Sequence, residues 1–283
     1  MPPTVPDLAA LAASHDIITL GMHADDVRRR LHGARTTFVR VAQVTSVPGG
    51  PIAIPAAAGE VRIAGQPANR ADAIARVTEV KAAAGGRPLS GFVLSDLEQL
   101  SVTERVTLRA LLEELCAAGL ELVAEAPLDR LQDAHRSIEE VNISGLALAR
   151  LTVTQLQESD SLPLFKNVSG LQRRVGVVRS FAPLPRQINP AVPTTGYEDV
   201  KRVALARIAI DNIPSIQVDW SLYGPKLAQV ALTMGADDVD AVSAEEEQGE
   251  GRRRAPLAEI QRNIRAAGLE PVERNGRYET IGR

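Results

Sequence analysis

A chain of 283 residues, 45% of them apolar, is long enough for one large α/β barrel or two small domains and can bury a proper core. Its formal net charge of −3 gives no field that would gather nucleic acid or anionic lipid, and no stretch reaches the roughly 20 apolar residues that cross a bilayer, so neither partner is expected. With aromatic residues at only 3%, the core must be built from Ala, Leu, Val and Ile, as where helices stack on parallel strands.

In chain order, residues 1–35 read as a helical extension ending near "ADDVRRRLHG", with no basic region ahead of a long apolar run; the expected location is cytoplasmic. From residue 36 onward, short β-rich runs alternate with amphipathic stretches closed by Gly, the sequence form of repeated βα units. The expected strands are 36–44, 89–96, 120–126, 146–153, 174–184, 215–220, 237–243 and 269–280. Eight runs predict an α/β fold, a TIM-type (βα)8-like barrel forming a single domain over 1–283, although the last run also reads as an added strand. "SVPGGPIAIPAAAGEVRIAGQP" (46–67) reads as a long loop or small hairpin after the first strand. A helix is expected over 101–119, where Leu108, Leu111, Leu112 and Leu115 share a face and Gly119 caps the end; Cys116 borders that stripe as a small buried hydrophobe. Further helices fall at 225–234, opening on Pro225, and around Leu257, Ile260 and Ile264. Residues 244–254 form a charged run expected to be an exposed loop.

Barrel active sites are built at the C-terminal ends of the strands. The strands above place Ser95, Asp96, Glu125, Thr152, Arg179, Arg186, Asp219 and Trp220 there. Arg179 and Arg186 are candidates for a bidentate carboxylate clamp; the alternative is an internal ion pair with Glu125 or Asp96. Trp220 offers a stacking face for a nucleobase or benzoate ring, or simply plugs the barrel. Asp237 and Asp238 read as turn chemistry on the stabilising face, and Arg207 as a partner of Asp211 or a side chain reaching into the barrel wall. No metal site is expected: four histidines lack paired spacing, Glu245–Glu247 read as a solvated run, and Cys116 is the chain's one cysteine. No Ser–His–Asp order, HExxH, P-loop or strand-following GxGxxG appears.

"PTTGYEDVKRVALARIAIDNIPSIQ", followed by Trp220, "GPKLAQVAL", "GADDVD" and "EIQRNIRAAGLEPVERN", resembles the C-terminal part of a radical S-adenosylmethionine family. That family comprises aminofutalosine synthase, dehypoxanthine futalosine cyclase and the hydroxybenzyl-transferring subunit of F420-precursor synthase. "LGMHADDVRRRLHGARTTFVRV" resembles the segment leading into its first barrel strand. The resemblance covers roughly 20–45 and 181–280. Where the family places CxxxCxxC, this chain reads "SVPGGPIAIPAAAGEVR", so the three thiolates that hold the cluster are missing; no 4Fe–4S cluster and no other cofactor is expected. Ala241 and Val242 stand in place of the family's Gly-Thr, and "PLPRQINP" in place of its "PFHP".

What the resemblance implies is a role in menaquinone biosynthesis by the futalosine route without radical chemistry. The expected ligand is a futalosine-type or aromatic-carboxylate molecule, held by Arg179, Arg186, Asp219, Trp220, Glu125 and Asp96. Two other classes stay open. One is an enzyme with new acid–base chemistry using Glu125 or Asp96; the other is a structural partner of a related, cluster-bearing pathway enzyme, meeting it through "RVALARIAIDNI".

Overall fold

The computed structural model describes residues 7–155, 161–187, 195–245 and 256–281. Strand β1 (Arg35–Thr45) is its organiser, a run of β-branched residues with Phe38 that pairs with three others. Val41–Thr45 pair with β2 (Glu60–Ala64), Thr37–Val41 with β9 (Asp238–Ser243), and Arg35–Phe38 with β10 (Glu270–Glu273). Because β9 shares Thr37 with β10 and Val41 with β2, the latter two must lie on the same edge of β1, one below the other. Between β2 and β9 the ring continues through β3 (Leu89–Val93), β4 (Leu122–Pro127), β6 (Leu151–Val153), β7 (Ser180–Pro185) and β8 (Ser215–Asp219). All these pairings are parallel, and β1–β9 closes them into the expected eight-stranded barrel. The two-residue β5 (Ala147–Leu148) pairs alongside β4 at Leu122–Val123, beneath the pairing of β6 at Ala126–Pro127.

The eighth barrel strand is not the one read from the sequence. Segment 269–280 contributes only β10 and a turn on the barrel's edge, the added-strand alternative, while the missing strand is β2, inside the segment read as a loop or hairpin. "EVRIA" was hidden because it is short, flanked by Gly59 and Gly65, and puts Glu60 and Arg62 where a buried parallel strand usually carries apolar residues. The run 146–153 splits at Ala149–Arg150 into β5 and β6. The run 89–96 ends at Val93, and 174–184 begins only at Ser180 because helix α7 (Ser161–Val175) extends through its start.

The helical extension is α1 (Leu8–Ala13) and α2 (Ile17–His32); α2 packs on α8 (Gly196–Ala209). The expected 101–119 helix resolves into the end of α4 (Leu94–Thr103) and α5 (Leu108–Ala117), with Thr107 capping α5 by accepting from Ala110 N at 3.1 Å. Leu111, Leu112 and Leu115 are buried as expected, and Cys116 is half-buried. Gly119 is required: its φ is +109°, and a Cβ there would lie 2.6 Å from Lys81 Cγ. Helices α3 (Arg70–Ala83), α6 (Ala134–Ile143), α9 (Trp220–Thr233) and α10 (Pro256–Ala266) complete the outer layer. Gly224, at φ 75° and ψ 169°, breaks α9, and Pro225 starts its second part. Most of the charged run 244–254, from residue 246 on, lies outside the described residues.

Between β1 and β2 the chain crosses over without any helical residue among those described. Buried Arg76 of α3 holds this crossover through the carbonyls of Thr45 (2.7 Å), Gly50 (3.0 Å) and Pro51 (3.3 Å), and Arg87 through Ala56 and Ala58. Ile54 packs with Ala42, Ala58 and Ala244. By strand alternation Ala42 lies on the face of β1 opposite Thr37, whose hydroxyl reaches Asp238 in the lumen, so the segment covers the outer wall and does not enter the lumen.

Candidate active site at the C-terminal mouth

The barrel lumen is polar, and its side chains form layers. At the floor, Arg274 gives Asp238 two hydrogen bonds of 2.6 and 2.7 Å, joined by Gln217 Nε2 at 2.6 Å. Tyr278 enters from the C-terminal turn with its ring 3.9 Å from the Arg274 guanidinium carbon and its hydroxyl 2.7 Å from Ser180 Oγ and 2.8 Å from the Ala149 carbonyl. Burial, with Asp238 and Asp240 adding to it against the pull of Arg274, pushes this phenol up to about 12.

Above it, Asp240 receives Arg62 through two nitrogens at 2.8 and 3.0 Å and also Nη1 of Arg150. Burial alone would raise that carboxyl, but Arg150 and Arg62 hold it far below the usual aspartate range. Arg62 Nε donates to Glu60 at 2.8 Å, and Ser90 Oγ donates to the same oxygen at 2.5 Å. At the top, Glu125 accepts from Thr152 Oγ1 at 2.9 Å and faces Arg150 Nη2 at 3.6 Å and Arg186 Nε at 3.3 Å. Arg186 Nη1 donates to Asp219 at 2.7 Å. Asp219 in turn accepts from Ser221 Oγ (2.8 Å) and Leu222 N (2.9 Å), capping the helix that Trp220 begins.

The result is one chain of alternating sign, Glu60–Arg62–Asp240–Arg150–Glu125–Arg186–Asp219, with four carboxylates to three guanidiniums. Its upper end reaches solvent, since the Arg186 side chain is 22% exposed and Glu125 13%. Burial would lower the Arg186 pKa, but Glu125 and Asp219 more than reverse this and raise it. Asp96, half-buried in the first turn of α4, makes no side-chain hydrogen bond among the described residues; burial raises its carboxyl, Arg130 opposes and Glu125 reinforces.

Of the six residues singled out from the sequence, Glu125, Arg186 and Asp219 are in direct contact. Trp220 follows Asp219 in the chain and packs half-buried against the core, and Asp96 feels the charge of Glu125 without contacting it. Arg179 does not join them. It precedes β7 and lies exposed at the opposite, N-terminal mouth, because the strand read as starting at 174 starts at Ser180. The expected Arg179–Arg186 clamp therefore does not form, and Arg186 is committed to two carboxylates, the internal ion pair that was its alternative.

The residues sequence reasoning missed are Glu60, Arg62, Arg150 and Asp240. The usable signal was the polar–apolar alternation of "EVRIA" and of "DVD". Asp237 is structural, as expected, but its partners are Arg207 and, at 2.8 Å, the amide of Ile216; Arg207 does not pair with Asp211. Nor is the α8 sequence "RVALARIAIDNI" an available interface, since Val203, Ala204, Leu205, Ala206 and Arg207 are buried within the fold.

A cluster held by three thiolates finds no donor set here. The crossover 46–59, which follows β1, contains no Cys, His, Asp or Glu, and Cys116 is on α5, outside the barrel wall. Among the described residues no His, Cys, Asp and Glu side chains group as ligands for a metal ion, and no helix is long and apolar enough to cross a membrane.

Residues 184–282 match the family described as the CofH/MqnC C-terminal region. The chain is 28% identical over 233 residues to aminodeoxyfutalosine synthase of Thermus thermophilus, covering 69% of this chain and 61% of that protein. It is 26% identical over 212 residues to cyclic dehypoxanthine futalosine synthase of Streptomyces coelicolor, covering 66% and 53%. Against 5-amino-6-(D-ribitylamino)uracil–L-tyrosine 4-hydroxyphenyl transferase of Methanopyrus kandleri the match is 35% over 138 residues, 43% of this chain and 37% of that one. The chain thus spans at most about three fifths of the length of these curated relatives. In fold it is similar to methylornithine synthase (TM-score 0.67, 13% identity, 95% and 94% covered) and to an FeFe-hydrogenase maturase (TM-score 0.63, 11% identity, 94% and 71% covered).

Proposed function

We propose that this chain, a relative of the radical S-adenosylmethionine family of aminofutalosine synthase, dehypoxanthine futalosine cyclase and the F420-precursor hydroxybenzyl-transferring subunit, binds a futalosine-pathway intermediate without radical chemistry. The pathway is the futalosine route of menaquinone biosynthesis. The reading rests on one juxtaposition. Arg186 and Asp219, with half-buried Trp220 next in the chain, stand at the C-terminal end of the barrel strands inside the segment that matches the family, and Arg186 is partly exposed there, while the crossover after β1 has nothing to hold a cluster. In this reading the chain carries no 4Fe–4S cluster, and anaerobic treatment with iron and sulfide leaves no bound iron and no visible absorption.

The mouth holds more carboxylates than guanidiniums, so the edge of the ligand it faces is one that donates hydrogen bonds, such as ribose hydroxyls or an amino group, with Trp220 against a ring. A thermal-shift titration with S-adenosylmethionine, aminofutalosine, dehypoxanthine futalosine and the enolpyruvyl-benzoate precursor tests this. Ligand at 100-fold above its Kd adds about 2.7 kcal/mol to the folded state. A selective shift that Arg186→Gln removes supports the proposal; no shift with any of the four overturns it.

One observation favours the acid–base alternative, the raised carboxyl of Asp96 beside Glu125. Turnover of a pathway nucleoside, with a pH profile whose acidic limb, set by Asp96 as general base, is lost in Asp96→Asn, would establish it.

A further inference from the structure

We propose that the N-terminal mouth of the barrel is a second ligand site, one that binds an oxyanion, phosphate or carboxylate, between Arg35 and Arg179. A cavity of about 310 Å3 opens there, lined by both arginines together with His32, Ser215, Tyr278 and Thr280. Its floor is the layer in which Arg274 is neutralised by Asp238 and the Tyr278 hydroxyl is tied to Ser180 and Ala149. The one carboxylate lining the cavity, Asp237, is buried; its Oδ1 accepts from Arg207 and from the amide of Ile216 at 2.8 Å, and its Oδ2 faces His32. His32 Nε2 lies 2.8 Å from the carbonyl of Pro214 and so carries a proton there, leaving Nδ1 for another contact; its distance to Asp237 is 3.4 Å.

What is left uncompensated is Arg35 and Arg179. Neither side chain makes a hydrogen bond or ion pair among the described residues, and Glu270, opposite Arg35 in the β1–β10 register, does not line the cavity. Two guanidiniums at the rim of a recess focus a positive potential into it, and their planar forks match an oxyanion. Barrel ligands ordinarily occupy the C-terminal face. Here the Arg274–Asp238 and Arg62–Asp240 layers fill the lumen between the two mouths, so this site is separate from the one around Arg186 and does not depend on the function proposed there.

The test is calorimetric titration of the full chain, at low ionic strength, with inorganic phosphate and separately with acetate. Both arginines are exposed, so Arg35→Gln and Arg179→Gln leave the fold intact, which circular dichroism checks. The expected result is saturable one-site binding that weakens about tenfold or more in Arg179→Gln, as befits loss of a bidentate contact, vanishes in the double variant, and is unchanged in Arg186→Gln. The tighter of the two anions assigns the site to phosphate or to carboxylate ligands. Absence of saturable binding by either anion, binding that survives the double variant, or loss of binding in Arg186→Gln would overturn the proposal.

Discussion

The two ends of the barrel handle buried charge differently. At the floor each group is matched locally: one arginine on one aspartate, with Gln217 and Thr37 filling the remaining acceptor positions and Tyr278 sealing the layer. Toward the top the charges are shared, each carboxylate among two or three donors and each guanidinium between two acceptors, and the series carries an excess acid and comes nearest to solvent at Arg186 and Glu125. The floor has no charge left to offer a ligand, which is why the unpaired cations below it stand out. The top remains adjustable, because a partner of Glu125 or Asp219 can be exchanged for a ligand without stranding any charge in the interior.

Asp240→Ala breaks this picture most severely. It leaves Arg62 and Arg150 buried against each other, and urea unfolding is expected to show a loss of about 3–5 kcal/mol. Tyr278→Phe removes the seal while keeping the ring under Arg274, and is expected to cost about 1–2 kcal/mol by the same measurement. Arg186→Gln, at the partly exposed end, is expected to cost under about 1 kcal/mol while abolishing any ligand-induced shift; a larger loss of stability would mean that the top is as rigid as the floor.

The smallest effect separates two carboxyls by sign. Asp240 is depressed in the folded state, so its contribution is present above the unfolded value of about 4 and is lost as pH falls below it. Asp96 is raised, so its contribution is present below that value and lost as pH rises past its folded pKa. Urea midpoints across the acid range are expected to fall with falling pH in both wild type and Asp96→Asn. Only wild type should also decline on the rising side, as Asp96 ionises.

The barrel was legible because its rhythm is carried by ordinary features: Leu111, Leu112 and Leu115 on one helix face, Gly119 at a cap no other residue fits, and the β-branched run of β1. The alternating charge series was not, because buried arginines on strands look like surface residues until closure of the ring brings Arg62 of β2 against Asp240 of β9. Arg179 shows the opposite failure. Val177 and Val178 made a helix end and a turn look like strand, and shifting the start of β7 to Ser180 moved the arginine from one mouth to the other.

The crossover between β1 and β2 has a consequence for how the molecule breathes. Every other stretch of wall is backed by a helix, but here it is covered by a segment held largely through Arg76 and Arg87 to main-chain carbonyls. Sub-global opening follows the route with the fewest apolar contacts, so amide exchange should be fastest along this seam, and the barrel should part there first, sideways, into the lumen.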